Sequence, residues 1–153
     1  MSFLECVCTC LEQNQIPYAL VGGYAVALHG APRGTIDIDL IIRFREKDFI
    51  ALEQAFKLIG LQSKLPISAR EVFQFREDYI QNRNLIAWSF YSPRNPIEIV
   101  DVIITHNLED NSVTHKMLSK TSINVLSKRD LIKMKKTSGR PQDLIDIDAL
   151  ERT

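Results

Sequence analysis

Three aspartates stand where apolar strands would bury them. In "GTIDIDLII", Gly34 to Ile42, Asp37 and Asp39 interrupt a run of isoleucine and leucine, and Asp101 does the same in "IEIVDVII", Ile97 to Ile104. Strand side chains alternate, so Asp37 and Asp39 share a face at roughly 6.5–7 Å spacing. Ile36, Ile38 and Leu40 take the opposite face toward the core. Two like charges this close repel, and partial burial raises the cost. Carboxylate oxygens are what Mg²⁺ selects, and a divalent cation reverses that repulsion. The alternative is an edge strand with a solvated acidic face. On the second strand Asp101 lies in a row with Ile97, Ile99 and Ile103, while Glu98 is expected in solvent on the other side. If the two strands are neighbours, Asp101 completes a three-carboxylate cluster. Such a cluster can hold two Mg²⁺ ions about 3.5–4 Å apart and drive in-line displacement at phosphorus.

A second feature suits the same chemistry. Gly22-Gly23 lies between a short apolar strand and a helix start, where N–H groups and the helix dipole favour a phosphate. Glycine lets the backbone approach that ligand closely; the plain alternative is a tight turn. Arg33, in the loop before the paired aspartates, is either solvated or placed to meet a phosphate. From Lys128 to Arg140 there are six basic residues and one acid, the only basic patch of the chain. It reads as a solvated helix face or as a site for a triphosphate tail or RNA backbone. His29 reads as a helix C-terminal residue. Cys6, Cys8 and Cys10 read as free thiols packed like small hydrophobes, since a fourth ligand and a loop for zinc are missing.

The elements that must position these residues follow from periodicity. Residues 3–14 read as an amphipathic helix, "YALV" as a strand, and "YAVALHG" as a closely packed helix stopped by Gly30. "IDIDLII" is a strand, followed by a helix from about Lys47 to Ile59. "EVFQF", "NLIAWSFY" and "IEIVDVII" read as strands, with Ile86, Trp88 and Phe90 forming core, and "INVL" reads as a short edge strand. Ser127 and Asp130 open a helix by a capping pattern, Gly139 ends it, and Pro141 starts a last one. The result is one α+β domain spanning 1–153, with its core at about 16–105 and a helical C-terminal portion at about 127–152.

Gly-Gly, thirteen residues, D-x-D and a later strand Asp resemble the nucleotidyltransferase superfamily of DNA polymerase β-like enzymes. The resemblance implies a nucleotidyltransferase fold, a short mixed sheet flanked by helices. It implies that Gly22 and Gly23 hold a nucleoside triphosphate, and that Asp37, Asp39 and Asp101 hold two Mg²⁺ ions, Asp101 also helping to activate an acceptor hydroxyl. Gly-Gly stands where the family often has Gly-Ser, so a serine hydroxyl is missing. Within the superfamily, "GGYAVALHGAPRGTIDIDL" with "KKTSGRPQDLIDIDAL" is similar to AbiEii-type and related small bacterial nucleotidyltransferases, which include toxins of toxin–antitoxin pairs. That resemblance assigns Lys135 or Lys136, Arg140 and Asp143 to the site, with Gln142 where a lysine is common.

The expected reaction moves a nucleoside monophosphate from an NTP to a hydroxyl of a small molecule, a tRNA or a protein. An antitoxin protein is an expected partner. Two other readings use the same features: a non-catalytic nucleotide- or partner-binding domain, and a two-metal nuclease, which does not need the Gly-Gly turn. The 153 residues carry zero formal net charge, which excludes a global field drawing the chain to nucleic acid or anionic membrane. With no basic leader, no apolar run near membrane-spanning length and free thiols, a cytoplasmic protein is expected.

Overall fold

A computed structural model describes all 153 residues. In chain order the elements are α1 (Phe3–Gln13), β1 (Tyr18–Val21), α2 (Gly22–Leu28), β2 (Ile38–Ile42), α3 (Glu46–Leu58), β3 (Gln62–Ser63), α4 (Ala69–Gln74), α5 (Arg76–Arg83), β4 (Ala87–Ser92), β5 (Asn95–Ile103), β6 (Val113–Leu118), β7 (Thr121–Leu126), α6 (Lys128–Ser138) and α7 (Pro141–Glu151). The strands form one mixed sheet of order β3-β4-β5-β2-β1-β7-β6. β2 runs parallel to β5 and antiparallel to β1, and β4 is antiparallel to β5. This is the expected α+β class with its helical C-terminal portion.

Alternation fastens the central strands. Ile38 and Leu40 of β2, Val100 and Val102 of β5, and Trp88 and Phe90 of β4 are all fully buried on one side. Each such side chain contributes about 1.5–3 kcal/mol on leaving water. Trp88 stacks on Phe49 of α3 at 5.7 Å between centroids and meets Phe90 at 4.7 Å, while Phe56 sits edge-on to Phe90 at 5.1 Å. With that face anchored, the intervening residues Asp39, Asp101 and Ser89 must point to the other.

Several expectations give way. "EVFQF" belongs to helix α4, because the Ser68 side chain accepts from the Glu71 N–H and the Glu71 carboxylate accepts from the Ser68 N–H. Ala69 and Val72, three residues apart, then bury together. Ile36 is 65% exposed because β2 begins only at Ile38, and Ile86, 52% exposed, precedes β4. "INVL" lies in β7, which is an inner strand; the edge is β6. Its sequence, "VTHKML", has no apolar run to reveal it and is held by pairing to β7 from Val113 to Leu118. Glu98 is half-buried rather than solvated.

The termini of the C-terminal helices match the sequence cues. The Ser127 hydroxyl accepts from the Asp130 N–H, Gly139 closes α6 with φ of 60°, and Pro141 opens α7. No helix is long and apolar enough to cross a membrane.

Candidate active site

A cavity of about 880 Å³ opens on the face of the sheet opposite the aromatic core. Its lining brings together Gly22, Gly23, Arg33, Asp37, Asp39, Asp101, Lys135, Arg140 and Asp143, which are drawn from both ends of the chain. Lys136 is not among them. It is exposed on α6, one residue and about 100° of helix turn away from the buried Lys135.

The floor is set by strand register. Asp39 and Asp101 are Cα partners across the parallel β2–β5 pair, and Ser89 is the partner of Asp101 across β4–β5. Neighbouring strands lie about 4.8 Å apart, so the two carboxylates meet side by side. The Ser89 hydroxyl donates to Asp101 Oδ1 at 2.5 Å. Burial first, then the charges of Asp101 and Asp37, push the Asp39 carboxyl up to about 7, against a smaller opposing effect of Lys135. Asp37 is exposed in the bend before β2, so it stands at the mouth of the cavity instead of on the ladder. Three aspartates therefore share one cavity, but no group of three or more His, Cys, Asp and Glu side chains converges into a preformed metal cage.

Gly22 closes the floor on the far side. Its φ is +67°, and a Cβ there would collide with the Asp39 carboxylate. A Cβ on Gly23 would lie 2.7 Å from that of Thr35. Both glycines are thus required by close approach, and no side chain caps the first turn of α2 behind them.

The third wall comes from α6 and α7. Lys135 Nζ, buried, donates to Asp146 Oδ2 at 2.9 Å and to Asp143 Oδ1 at 3.4 Å. A lysine ammonium has three donors, so one remains for the cavity. Arg33 Nε donates to Asp146 Oδ1 at 3.1 Å, tying the loop before β2 to α7. Asp143 accepts from the Ser138 hydroxyl at 2.8 Å and from Arg140 Nε at 3.1 Å. These hydrogen bonds and the Lys135 charge hold its carboxyl below the usual range although burial works against them. Asp146 and Ser89 were not expected from sequence. Asp146 has a signal, since it lies three residues after Asp143 and so on the same helix face; Ser89 has only its alternation with Trp88 and Phe90.

Other candidates lie elsewhere. His29 Nε2 is 2.8 Å from the Leu126 carbonyl, and burial holds its pKa down, which fits a structural residue at the end of α2. The cysteines are free, and burial pushes the Cys8 thiol up to about 11.

Solved structures share the fold. The chain resembles a crystal structure of an antigenic nucleotidyltransferase-like protein from Paracoccidioides brasiliensis, at 20% identity and TM-score 0.60, covering 95% of this chain and 72% of that one. It resembles the antibiotic-resistance factor ANT(2'')-Ia at 9% identity and TM-score 0.66, covering 97% and 80%. It also resembles the lincosamide antibiotic adenylyltransferase LnuA in its lincomycin-bound form, at 14% identity and TM-score 0.63, covering 97% and 94%. At these identities the likeness is one of fold. No curated protein sequence matches. Residues 7–153, nearly the whole chain, match the family "Nucleotidyl transferase AbiEii toxin, Type IV TA system". On that match, this chain belongs to the AbiEii family of nucleotidyltransferases.

Proposed function

We propose that the protein transfers a nucleoside monophosphate from an NTP to a hydroxyl acceptor, releasing pyrophosphate, with Mg²⁺ bound at Asp37, Asp39 and Asp101. The observation that carries this is the in-register contact of Asp39 with Asp101 beside Gly22. Burial, and after it the charges of Asp101 and Asp37, push the Asp39 carboxyl up to about 7, which makes the pair a poor structural device and a fitting oxygen donor set for a hard cation. Asp37, exposed at the mouth, is the third oxygen donor. When bound, Mg²⁺ supplies charge stabilisation at the phosphoryl oxygens and a more acidic acceptor hydroxyl.

The chain's own residues divide the remaining work. The backbone N–H groups at Gly22 and Gly23 receive the β- and γ-phosphates. Arg33, the spare donor of Lys135, and Arg140 balance the charge that develops on the pyrophosphate, from positions set in advance by Asp146 and Asp143. Asp101 accepts the proton of the acceptor hydroxyl. Small molecule, tRNA and protein acceptors all offer such a hydroxyl, and a proteinaceous antitoxin is the partner the family suggests.

The test is label transfer. Incubating the protein with each α-labelled NTP, Mg²⁺ and cell extract should label an extract component, and Asp39→Asn should abolish this. Absence of both label transfer and Mg²⁺-dependent triphosphate binding would overturn the reading. Binding without transfer to any acceptor would favour a non-catalytic module, and release of nucleotides from RNA or DNA would favour a nuclease.

A further inference from the structure

The register across four adjacent strands places chemically distinct groups in one line. Val21, which leads into Gly22, pairs with Asp39; Asp39 pairs with Asp101; Asp101 pairs with Ser89. Successive strands are about 4.8 Å apart. The order along the line is glycine turn, carboxylate, carboxylate, hydroxyl. In-line displacement at phosphorus needs the leaving group and the attacking oxygen on opposite sides of the reacting atom, with the proton acceptor next to the attacking oxygen. The glycine turn stands at the leaving-group end and Ser89 at the attacking end.

Ser89 is suited to more than support. Its neighbours Trp88 and Phe90 are buried in the aromatic core, so its own side chain is held on the cavity face. It lines the cavity and is partly exposed there, and its hydroxyl already donates to Asp101 Oδ1, as an acceptor hydroxyl must. A serine nucleophile beside a base within hydrogen-bond reach is the arrangement that activates a hydroxyl for covalent chemistry.

Resting on the transfer reading of this cavity, we propose that Ser89 is an internal acceptor, so that the chain nucleotidylates its own β4 when no other hydroxyl occupies the site. The bond formed joins Ser89 Oγ to the α-phosphorus of the NTP. The bond broken joins that phosphorus to the oxygen bridging to the β-phosphorus, and pyrophosphate leaves with the bonding pair. The Ser89 hydroxyl proton passes to Asp101. The product fills the acceptor end of the cavity with a phosphodiester, so self-modification also stops further transfer.

The test uses the full chain with Mg²⁺ and each of the four common NTPs, without added acceptor. Intact mass and fragment mapping after digestion are the readouts. The expected result is a gain of one nucleoside monophosphate on Ser89, absent from Asp39→Asn and retained at the same position by Ser89→Thr. An adduct already present on Ser89 in the chain as purified from cells supports the proposal equally. An adduct mapped to another residue, or one formed equally in Asp39→Asn, overturns it. An unmodified Ser89 in a chain that labels extract components under the same conditions also overturns it, while leaving the transfer reading intact. If neither Ser89 nor any extract component is labelled, both readings fall.

Discussion

Asp39 and Asp101 face each other as register partners on parallel strands that are distant in sequence and adjacent in the sheet. Nothing in either strand alone requires their carboxylates to touch. Their contact is imposed by the burial of Ile38 and Leu40 on one strand and Val100 and Val102 on the other, which fixes the face each aspartate must occupy.

The burial of Asp39, and after it the charges of Asp101 and Asp37, predicts a pH dependence. Folding raises the Asp39 carboxyl from its ordinary 3.8 to about 7, so between these values the folded chain holds more protons than the unfolded one. Its stabilising contribution is complete below the lower value and is lost as pH rises through the upper one. A rise of this size corresponds to at most about 4 kcal/mol. Urea midpoints measured without divalent cations should therefore fall between about pH 4 and pH 7. Asp39→Asn should flatten that part of the curve.

Gly22 carries both a left-handed backbone and the space into which the Asp39 carboxylate fits. Gly22→Ala should lower label transfer on the order of 100-fold through displacement of the carboxylate or the turn. Circular dichroism should show the fold retained, since only the turn and one side chain need to move.

Lys135 and Lys136 are neighbours with opposite roles in stability. Lys135→Met leaves Asp143 and Asp146 buried without their shared cation, a loss of about 3–5 kcal/mol. Lys136→Met, on the exposed face of α6, should change stability by less than about 0.5 kcal/mol. Chemical denaturation of the pair distinguishes the two positions.

Arg33 tests the anion wall separately from the fold. Asp146 keeps Lys135 and Gln142 as partners when Arg33 is removed. Arg33→Ala should thus weaken triphosphate binding by about tenfold, as for loss of one charged hydrogen bond. Calorimetry should show this with little change in melting temperature.

The cysteines should separate by burial. Cys8 and Cys10 are 1% and 6% exposed, while Cys6 is only half-buried. Alkylation of the native chain should label Cys6 first, and the other two only on unfolding, as read by peptide mass.

Local sequence determined a large part of this protein. "YALV" is β1 residue for residue, "IDLII" and most of "IEIVDVII" are strands, and the Ser127, Gly139 and Pro141 signals bound α6 and α7. Period-two alternation and helix-end chemistry act over a few residues, so they can be read without a fold. The same locality explains the errors. The apolar residues of "EVFQF" suit a strand or a helix, and the capping pair Ser68–Glu71 decides between them. β6 has no apolar run, and its pairing to β7 makes it a strand.

For the site, residue type and spacing singled out Gly22, Gly23, Asp37, Asp39 and Asp101, and the family pattern singled out Lys135 or Lys136, Arg140 and Asp143. Tertiary structure alone decided that Asp39 and Asp101 meet while Asp37 stands at the mouth, that Lys135 rather than Lys136 turns inward, and that Asp146 joins Arg33 to Lys135. It also placed Ser89 against Asp101. Those relations depend on strand order, register and helix rotation. They are set by which apolar faces pack together across the whole chain, and no window of neighbouring residues contains that information.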